Sequence, residues 1–180
     1  MDKIKEKGLT QWLVIRCKQG ESQALEGLLK LWQQRYFLYA VNRLRDNEAA
    51  KDVTQECLIS IGKNINRLAD AAAYKKWSST ILERRCIDWQ RKTIRDRELI
   101  QTPPTIPEVA VTDGVDRKLT VEQALKQLDR RTSVILRLYY LEELSVGEIA
   151  EIAELPLGTV KSRLFYGRKL LANSLGETDE

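Results

Sequence analysis

Between Leu157 and Leu171 the chain carries Thr159, Ser162, Arg163, Tyr166 and Lys169 at spacings that share one side of a helix. Hydroxyl, guanidinium and ammonium groups are hydrogen-bonding types suited to base edges and phosphates. Lys161 and Arg168 flank that side, where phosphates would run. Leu157, Val160, Leu164, Gly167 and Leu171 fall on the other side and are expected to pack on preceding helices. Charge is divided by position just upstream. Glu142 to Glu154 holds five acids (Glu142, Glu143, Glu148, Glu151, Glu154) and no base, whereas Gly158 to Lys169 holds four bases (Lys161, Arg163, Arg168, Lys169) and no acid. A lone basic helix is most simply a solvated surface. An acidic helix, a break at Glu154 to Pro156 and a basic helix together fit a helix-turn-helix whose second helix enters a DNA groove.

The residue inventory argues against bond-making chemistry. The chain has no histidine, so the commonest general base and nucleophile activator is missing. Cys17, Cys57 and Cys86 are odd in number and far apart. They read as buried reduced thiols on helices, with no metal site and no cofactor expected. No side-chain constellation assembles a catalytic centre, and the chain is not expected to be an enzyme.

Two further stretches carry binding chemistry. From Lys75 to Arg97 there are eight bases (Lys75, Lys76, Arg84, Arg85, Arg91, Lys92, Arg95, Arg97) against three acids (Glu83, Asp88, Asp96), with Tyr74, Trp77 and Trp89 among them. Rings that stack on bases, beside cations that follow a backbone, suit single-stranded nucleic acid. Trp77 and Ile81, four apart, are better explained as core; Tyr74, at the helix entrance, is less easily explained so. Upstream, Ala50, Val53, Cys57, Ile61, Ile65 and Leu68 share one helical face at about 100° per residue, leaving Asp52, Gln55, Glu56 and Ile59 opposite. That polar face is either ordinarily solvated or docks a basic partner.

These residues need helices to position them, and helical periodicity dominates throughout. The pattern predicts helices over Thr10 to Lys18, Ser22 to Arg45, Glu48 to Leu68 and Ala72 to Arg97, with Asp46-Asn47 and Asp70 as caps. Gln101 to Gly114 holds three of the four prolines and no helical stripe, and reads as a linker. Beyond it, Thr120-Val-Glu-Gln123 looks like a capping box opening a helix to Leu128. Asp129-Arg-Arg-Thr132 is a break with capping residues before a helix over Ser133 to Tyr140, and Ser145-Val-Gly-Glu148 is a second capping box. The predicted fold is all-α: two small helical domains, 1–100 and 117–180, joined by a Pro-rich linker, 101–116, the second a four-helix domain with a helix-turn-helix. A charged opening, Met1 to Gly8, and the lack of any apolar run near about 20 residues predict no leader, no membrane insertion and a cytoplasmic chain. A composition of 43% hydrophobic and 31% charged residues is that of a folded domain, and the net charge of +4 is too modest to indicate nucleic acid by itself.

In this order the motifs resemble bacterial RNA polymerase sigma factors of the small extracytoplasmic-function group, over nearly the whole chain. Asn47-Glu-Ala-Ala-Lys-Asp-Val-Thr-Gln-Glu-Cys-Leu58 is similar to the polymerase-binding helix, Tyr74-Lys-Lys-Trp77 with Ile81 and Asp88 to the segment that opens the minus-ten element, and Ser145-Val-Gly-Glu-Ile-Ala150 with Gly158-Thr-Val-Lys-Ser-Arg-Leu164 to the minus-thirty-five reader. The resemblance implies that Asp52, Gln55 and Glu56 bind core polymerase. It implies that Asn64, Arg67, Tyr74, Lys75, Lys76, Arg84 and Arg91 handle minus-ten DNA, and that Thr159, Lys161, Ser162, Arg163, Tyr166 and Lys169 read minus-thirty-five DNA. Implied partners are core RNA polymerase and promoter DNA, duplex and melted, with room for control by an anti-sigma factor. The chain departs from the family pattern at Leu58-Ile-Ser-Ile-Gly-Lys63 where an aromatic is usual, at Arg84 where asparagine is usual, and at Tyr166-Gly167 where Arg-Ala is usual. A stand-alone helix-turn-helix regulator would account for the last third but not for Asp52, Gln55 and Glu56 beside a basic aromatic helix.

Overall fold

The computed structural model describes residues 3–100 and 128–174, the side chains over 5–96 and 128–172. The expected linker and the Thr120 to Leu128 helix with its capping box lie outside the described residues, apart from Leu128 itself. Among the described residues the chain is α-helical with two short 3-10 turns and no strand. The helices are α1 (Lys3–Lys18), α2 (Ser22–Leu44), α3 (Asn47–Asn64), α4 (Tyr74–Ile100), α5 (Arg130–Tyr140), α6 (Val146–Ala153) and α7 (Leu157–Ser174).

The predicted caps operate. Asp46 accepts from the Ala49 amide at 3.0 Å and opens α3. Asp70 accepts from the Ala72 amide at 2.8 Å and opens a 3-10 turn, Ala71–Ala73, that leads directly into α4. Asp129 accepts from the Arg131 and Thr132 amides, each at 3.0 Å, at the head of α5. Ser145 and Glu148 form both arms of a capping box. α3 ends at Asn64, earlier than expected, and Ile65–Arg67 tightens into a 3-10 turn. The predicted stripe is buried all the same: Ala50, Val53, Cys57, Ile61, Ile65 and Leu68 point into the core.

Around that stripe α2 packs on α1, α3 and α4. Its own buried row, Leu28, Trp32, Tyr36, Tyr39 and Ala40, follows the three-four spacing of a core-facing helix. Two polar networks are sealed inside. The Tyr36 and Tyr74 hydroxyls lie 3.0 Å apart. Tyr39 donates to Glu83 at 2.7 Å, and Arg43 Nε donates to the same carboxylate at 3.0 and 3.2 Å. The three cysteines are buried free thiols, and burial pushes Cys57 up to about 12.

Helix α5 differs from the rest. Seven consecutive residues, Thr132 to Leu138, are buried, so it is enclosed on all sides. Among the described residues, α6 and α7 pack on it from one side and α2 from another. Where α7 crosses α5 the backbones approach so closely that a Cβ at Gly167 would sit 2.7 Å from Leu136 Cδ1 and 2.9 Å from Thr132 Cγ2. Thr132 is held by its hydroxyl to Asp129 and cannot swing aside freely.

Gly167→Ala tests this contact. In an open helix alanine would gain about 1 kcal/mol of propensity. Overpacking of about 1–3 kcal/mol should outweigh it. Urea denaturation should therefore show a net loss of stability, whereas a gain would mean that α7 can shift away from α5.

Candidate nucleic-acid and polymerase interface

The helix-turn-helix is built by local physics. α6 ends at Glu154, which adopts the left-handed conformation at φ 52°, and the Leu155 amide bonds back to the Ala150 carbonyl at 3.0 Å. Pro156 then starts α7, where Thr159 and Val160 amides bond to its carbonyl. On α7 the core side is Val160, Leu164 and Gly167, with Leu171 partly buried. Leu157 is a correction: it is 47% exposed, because the first residue of α7 projects before the helix reaches α5 and α6.

The outer face of α7 presents Lys161, Ser162, Tyr166 and Lys169 to solvent, with Thr159 half-buried at its edge. Phe165 stands there too, 61% exposed and edge-on to Tyr166 at 5.5 Å. It lies four residues after Lys161 and four before Lys169, on the same ridge. From the sequence Phe165 is assigned to neither face of the helix; its angle of about 140° from Val160 places it on the outer one. Arg163 sits on the flank and is engaged, its Nη1 2.9 Å from Asp129 Oδ1 and 3.1 Å from the Thr132 hydroxyl. Burial raises the Asp129 pKa, but hydrogen bonds from Thr132 and the Arg163 charge outweigh it, leaving the carboxyl below its ordinary value. Asp129 therefore caps α5 and holds α7 at once.

Asp52, Gln55 and Glu56 are all exposed on α3, opposite its buried stripe, with Ile59 49% exposed beside them. Arg85 of α4 reaches across to Ser60 Oγ at 2.7 Å and to Glu56 at 3.6 Å. The acidic face of α3 and the basic face of α4 are thus adjacent.

Of the residues expected at melted DNA, Arg67, Arg84 and Arg91 are exposed, and Asn64 donates to the Ser60 carbonyl at 2.8 Å. Tyr74 is a second correction. It is 1% exposed, edge-on to Trp32, with its hydroxyl on Tyr36. A ring so enclosed has no face to offer a base. The preceding 3-10 turn delivers it to the core, where Tyr36 satisfies its hydroxyl. Trp77, Ile81 and Trp89 pack against the core, as expected for the first two.

Lys75 and Lys76 open α4 and meet the acidic segment of the helix-turn-helix. Lys76 Nζ lies 2.7 Å from Glu151, Lys75 Nζ 3.8 Å from Glu143, and Arg35 Nη1 3.7 Å from Glu142. Glu143 holds a left-handed turn at φ 57° that carries both acids. Burial pushes the Glu142 pKa up by more than Arg35 and Lys75 pull it back, with Glu6 adding to the rise and Arg137 opposing it.

Comparison with known proteins identifies this combination of surfaces. Residues 28–96 match the family model for Sigma-70 region 2, and residues 118–171 that for Sigma-70, region 4. The chain belongs to the sigma-70 family, in its extracytoplasmic-function group. It is 27% identical over 175 residues to the ECF RNA polymerase sigma factor SigW of Bacillus subtilis, covering 89% of this chain and 93% of that one. It is 29% identical over 145 residues to SigL of Mycobacterium tuberculosis, covering 77% and 81%. The sigma factor RpoE of Bartonella quintana, solved with the anti-sigma factor NepR, has the same fold at a TM-score of 0.68 and 20% identity, covering 86% of this chain and 98% of that one. CnrH, solved with the cytosolic domain of CnrY, does so at 0.61 and 16%, covering 95% and 99%. This sigma factor directs promoter-specific transcription initiation, and its family comprises initiation factors rather than enzymes. The region 2 match covers the α3 and α4 surfaces that a stand-alone regulator leaves unexplained. No described helix is long and apolar enough to cross a membrane.

The raised Glu142 pKa has a testable consequence. A carboxyl whose folded pKa lies above its unfolded value costs stability while ionised, and that cost fades as pH falls through the folded pKa to the unfolded one. Glu142→Gln should therefore be more stable than wild type at neutral pH, and the gap should shrink as pH approaches the ordinary glutamate value. Paired melting curves across that range check it; a variant less stable than wild type at neutral pH would show that the Arg35 attraction dominates.

Proposed function

We propose that this sigma factor binds the core polymerase through the exposed Asp52, Gln55 and Glu56 face of α3. The observation that carries the reading is the placement of that face. It lies exposed opposite a buried stripe, and the Glu56–Arg85 ion pair at 3.6 Å joins it to the basic surface of α4. A polymerase surface docked there holds α4 against the melted strand. Asn64, Arg67, Lys75, Lys76, Arg84 and Arg91 then handle the minus-ten DNA, the cations following phosphates. Thr159, Lys161, Ser162, Tyr166 and Lys169 read the minus-thirty-five element in the major groove, with Phe165 placed to make apolar contact with a thymine methyl, while Arg163, expected among the readers, holds α7 to Asp129. Residues 1–100 and 117–180 act as two units joined by 101–116, so that both DNA contacts are made by one chain. The contribution is binding energy and positioning; no bond is made or broken. The cytoplasm, where polymerase acts, is its place of work. The RpoE and CnrH complexes support an anti-sigma protein as a further partner.

Capture of core polymerase by immobilised chain tests the first role. The double variant Asp52→Arg, Glu56→Arg should lose capture by at least about 100-fold, since reversing charges at a docked face sets like against like at several kcal/mol. Undiminished capture would move the polymerase contact elsewhere.

The α7 roles separate by specificity. Tyr166→Ala should cost about 1–3 kcal/mol at one base pair and relax preference there. Lys161→Ala should weaken all sequences alike and lower the salt slope by about 1. Holoenzyme binding to a panel of single-base promoter variants at several salt concentrations distinguishes them. A uniform loss for Tyr166→Ala would take it out of the reading set.

A further inference from the structure

The residues assigned to minus-ten DNA are divided by a stretch of two 3-10 turns. Asn64 and Arg67 stand at its start, and Lys75 and Lys76 just past its end. The turns, Ile65–Arg67 and Ala71–Ala73, are joined by Leu68, Ala69 and Asp70. Ile65, Leu68 and Tyr74 are buried anchors, whereas Asn66, Arg67, Ala69, Asp70, Ala72 and Ala73 are exposed. Local bonds hold each turn: the Leu68 amide donates to the Ile65 carbonyl at 3.2 Å, and the Ala73 amide to the Asp70 carbonyl at 3.1 Å. A contact from another helix holds the join. Lys18 Nζ, in the last turn of α1, donates to the Leu68 carbonyl at 2.8 Å and to that of Ala69 at 3.4 Å. We propose that Lys18 is a positioning residue for minus-ten recognition: its ammonium pins the join to the end of α1 and so sets where Asn64 and Arg67 stand relative to Lys75 and Lys76. The proposal rests on the assignment of those four residues to minus-ten DNA.

The end of α1 is itself a fixed point. Gly20 takes the left-handed conformation at φ 87°, and the Glu21 amide bonds back to the Arg16 carbonyl at 3.2 Å, which closes the helix. Arg16 pairs with Glu21 at 2.7 Å and ties α1 to the start of α2. Leu13, Val14 and Cys17 are buried beneath, and α1 packs on both 3-10 turns. The join is less well provided for. Leu68 and Ala69 belong to neither turn, so their carbonyls stand outside the repeating bonds of a helix. Such carbonyls need a donor. A lysine ammonium carries three, enough for two neighbouring carbonyls at once, and its charge strengthens each bond. Lys18 and Leu68 are fifty residues apart in the chain, so the bond ties the first helix to the strand-handling surface. Loss of the ammonium frees both carbonyls and lets the two turns tilt about the buried Leu68. The rival role for Lys18, a direct phosphate contact, has a different signature: it acts on all sequences alike and depends on salt.

The test uses holoenzyme rebuilt with wild type, Lys18→Met, Lys18→Arg or Lys7→Met, each as the full-length chain. Methionine keeps most of the length of the side chain without a donor; arginine keeps the charge and the donors. Lys7→Met matches the charge change at an exposed site about 16 Å away along α1. Open-complex formation is measured on promoters with single-base changes in the minus-ten or the minus-thirty-five element, at several salt concentrations. Lys18→Met should lose about five- to tenfold of the preference for the cognate minus-ten sequence. Lys18→Arg should regain most of it. Minus-thirty-five preference, capture of core polymerase and the salt slope should match those of Lys7→Met. Equal minus-ten preference in Lys18→Met and Lys7→Met overturns the proposal. So does a uniform loss with the salt slope lowered by about 1, which marks a phosphate contact. So does a fall in melting temperature that takes both preferences and polymerase capture down together. A further chain, Asn64→Ala, Arg67→Ala, reports on the assignment beneath. If it loses minus-ten preference while Lys18→Met keeps it, only the positioning role fails. If it keeps that preference, the assignment fails and the proposal with it.

Discussion

The enclosure of α5 is the constraint on which the rest of the arrangement depends. Thr132 to Leu138 are buried on every side. One side is covered by α7 at a distance that only glycine at 167 permits, and Asp129 at its head holds Arg163 of α7 while capping α5. The angle at which α7 presents Lys161, Ser162, Phe165, Tyr166 and Lys169 follows from those two contacts. The other side of α5 is covered by α2, whose own row of Leu28, Trp32 and Tyr36 backs onto α3. Two helices, α5 and α2, therefore stand in series between α7 and α3. Any change in how α5 is covered alters the relation of the two.

Much of this was legible in the sequence because it is periodic or local. The α3 stripe from Ala50 to Leu68 and the opposed Asp52, Gln55 and Glu56 follow from 3.6 residues per turn alone. The caps at Asp46, Asp70, Asp129 and Ser145 are short-range hydrogen bonds, and their residue types announce them. The break at Glu154 to Pro156 was placed by proline, and the structure supplies its left-handed residue. Glycine at 167 was readable as a request for close packing, although its partners, Leu136 and Thr132, were not.

What escaped the sequence was long-range. Tyr74 has the composition of a surface aromatic, next to two lysines. Its burial depends on Tyr36, thirty-eight residues away, to satisfy the hydroxyl. Leu157 satisfies the helical period yet is exposed, because periodicity does not say where along its length a helix meets its neighbours. Arg163 has the chemistry of a base reader, and its pairing with Asp129 spans thirty-four residues. The acids from Glu142 to Glu154 were visible as a block, but their meeting with Lys75 and Lys76 joins segments on either side of the undescribed stretch. Charge pattern fixed which surfaces attract, and only packing fixed which of them meet.

Under the proposed function one chain makes two DNA contacts, and core polymerase is needed to bring both into use. Footprinting on a cognate promoter, with the chain alone and with core polymerase added, tests this most directly. Protection of the upstream element together with permanganate-reactive thymines at the minus-ten element should appear only when core polymerase is present. Tight protection of duplex DNA by the chain alone, unchanged by polymerase and without strand opening, would contradict it.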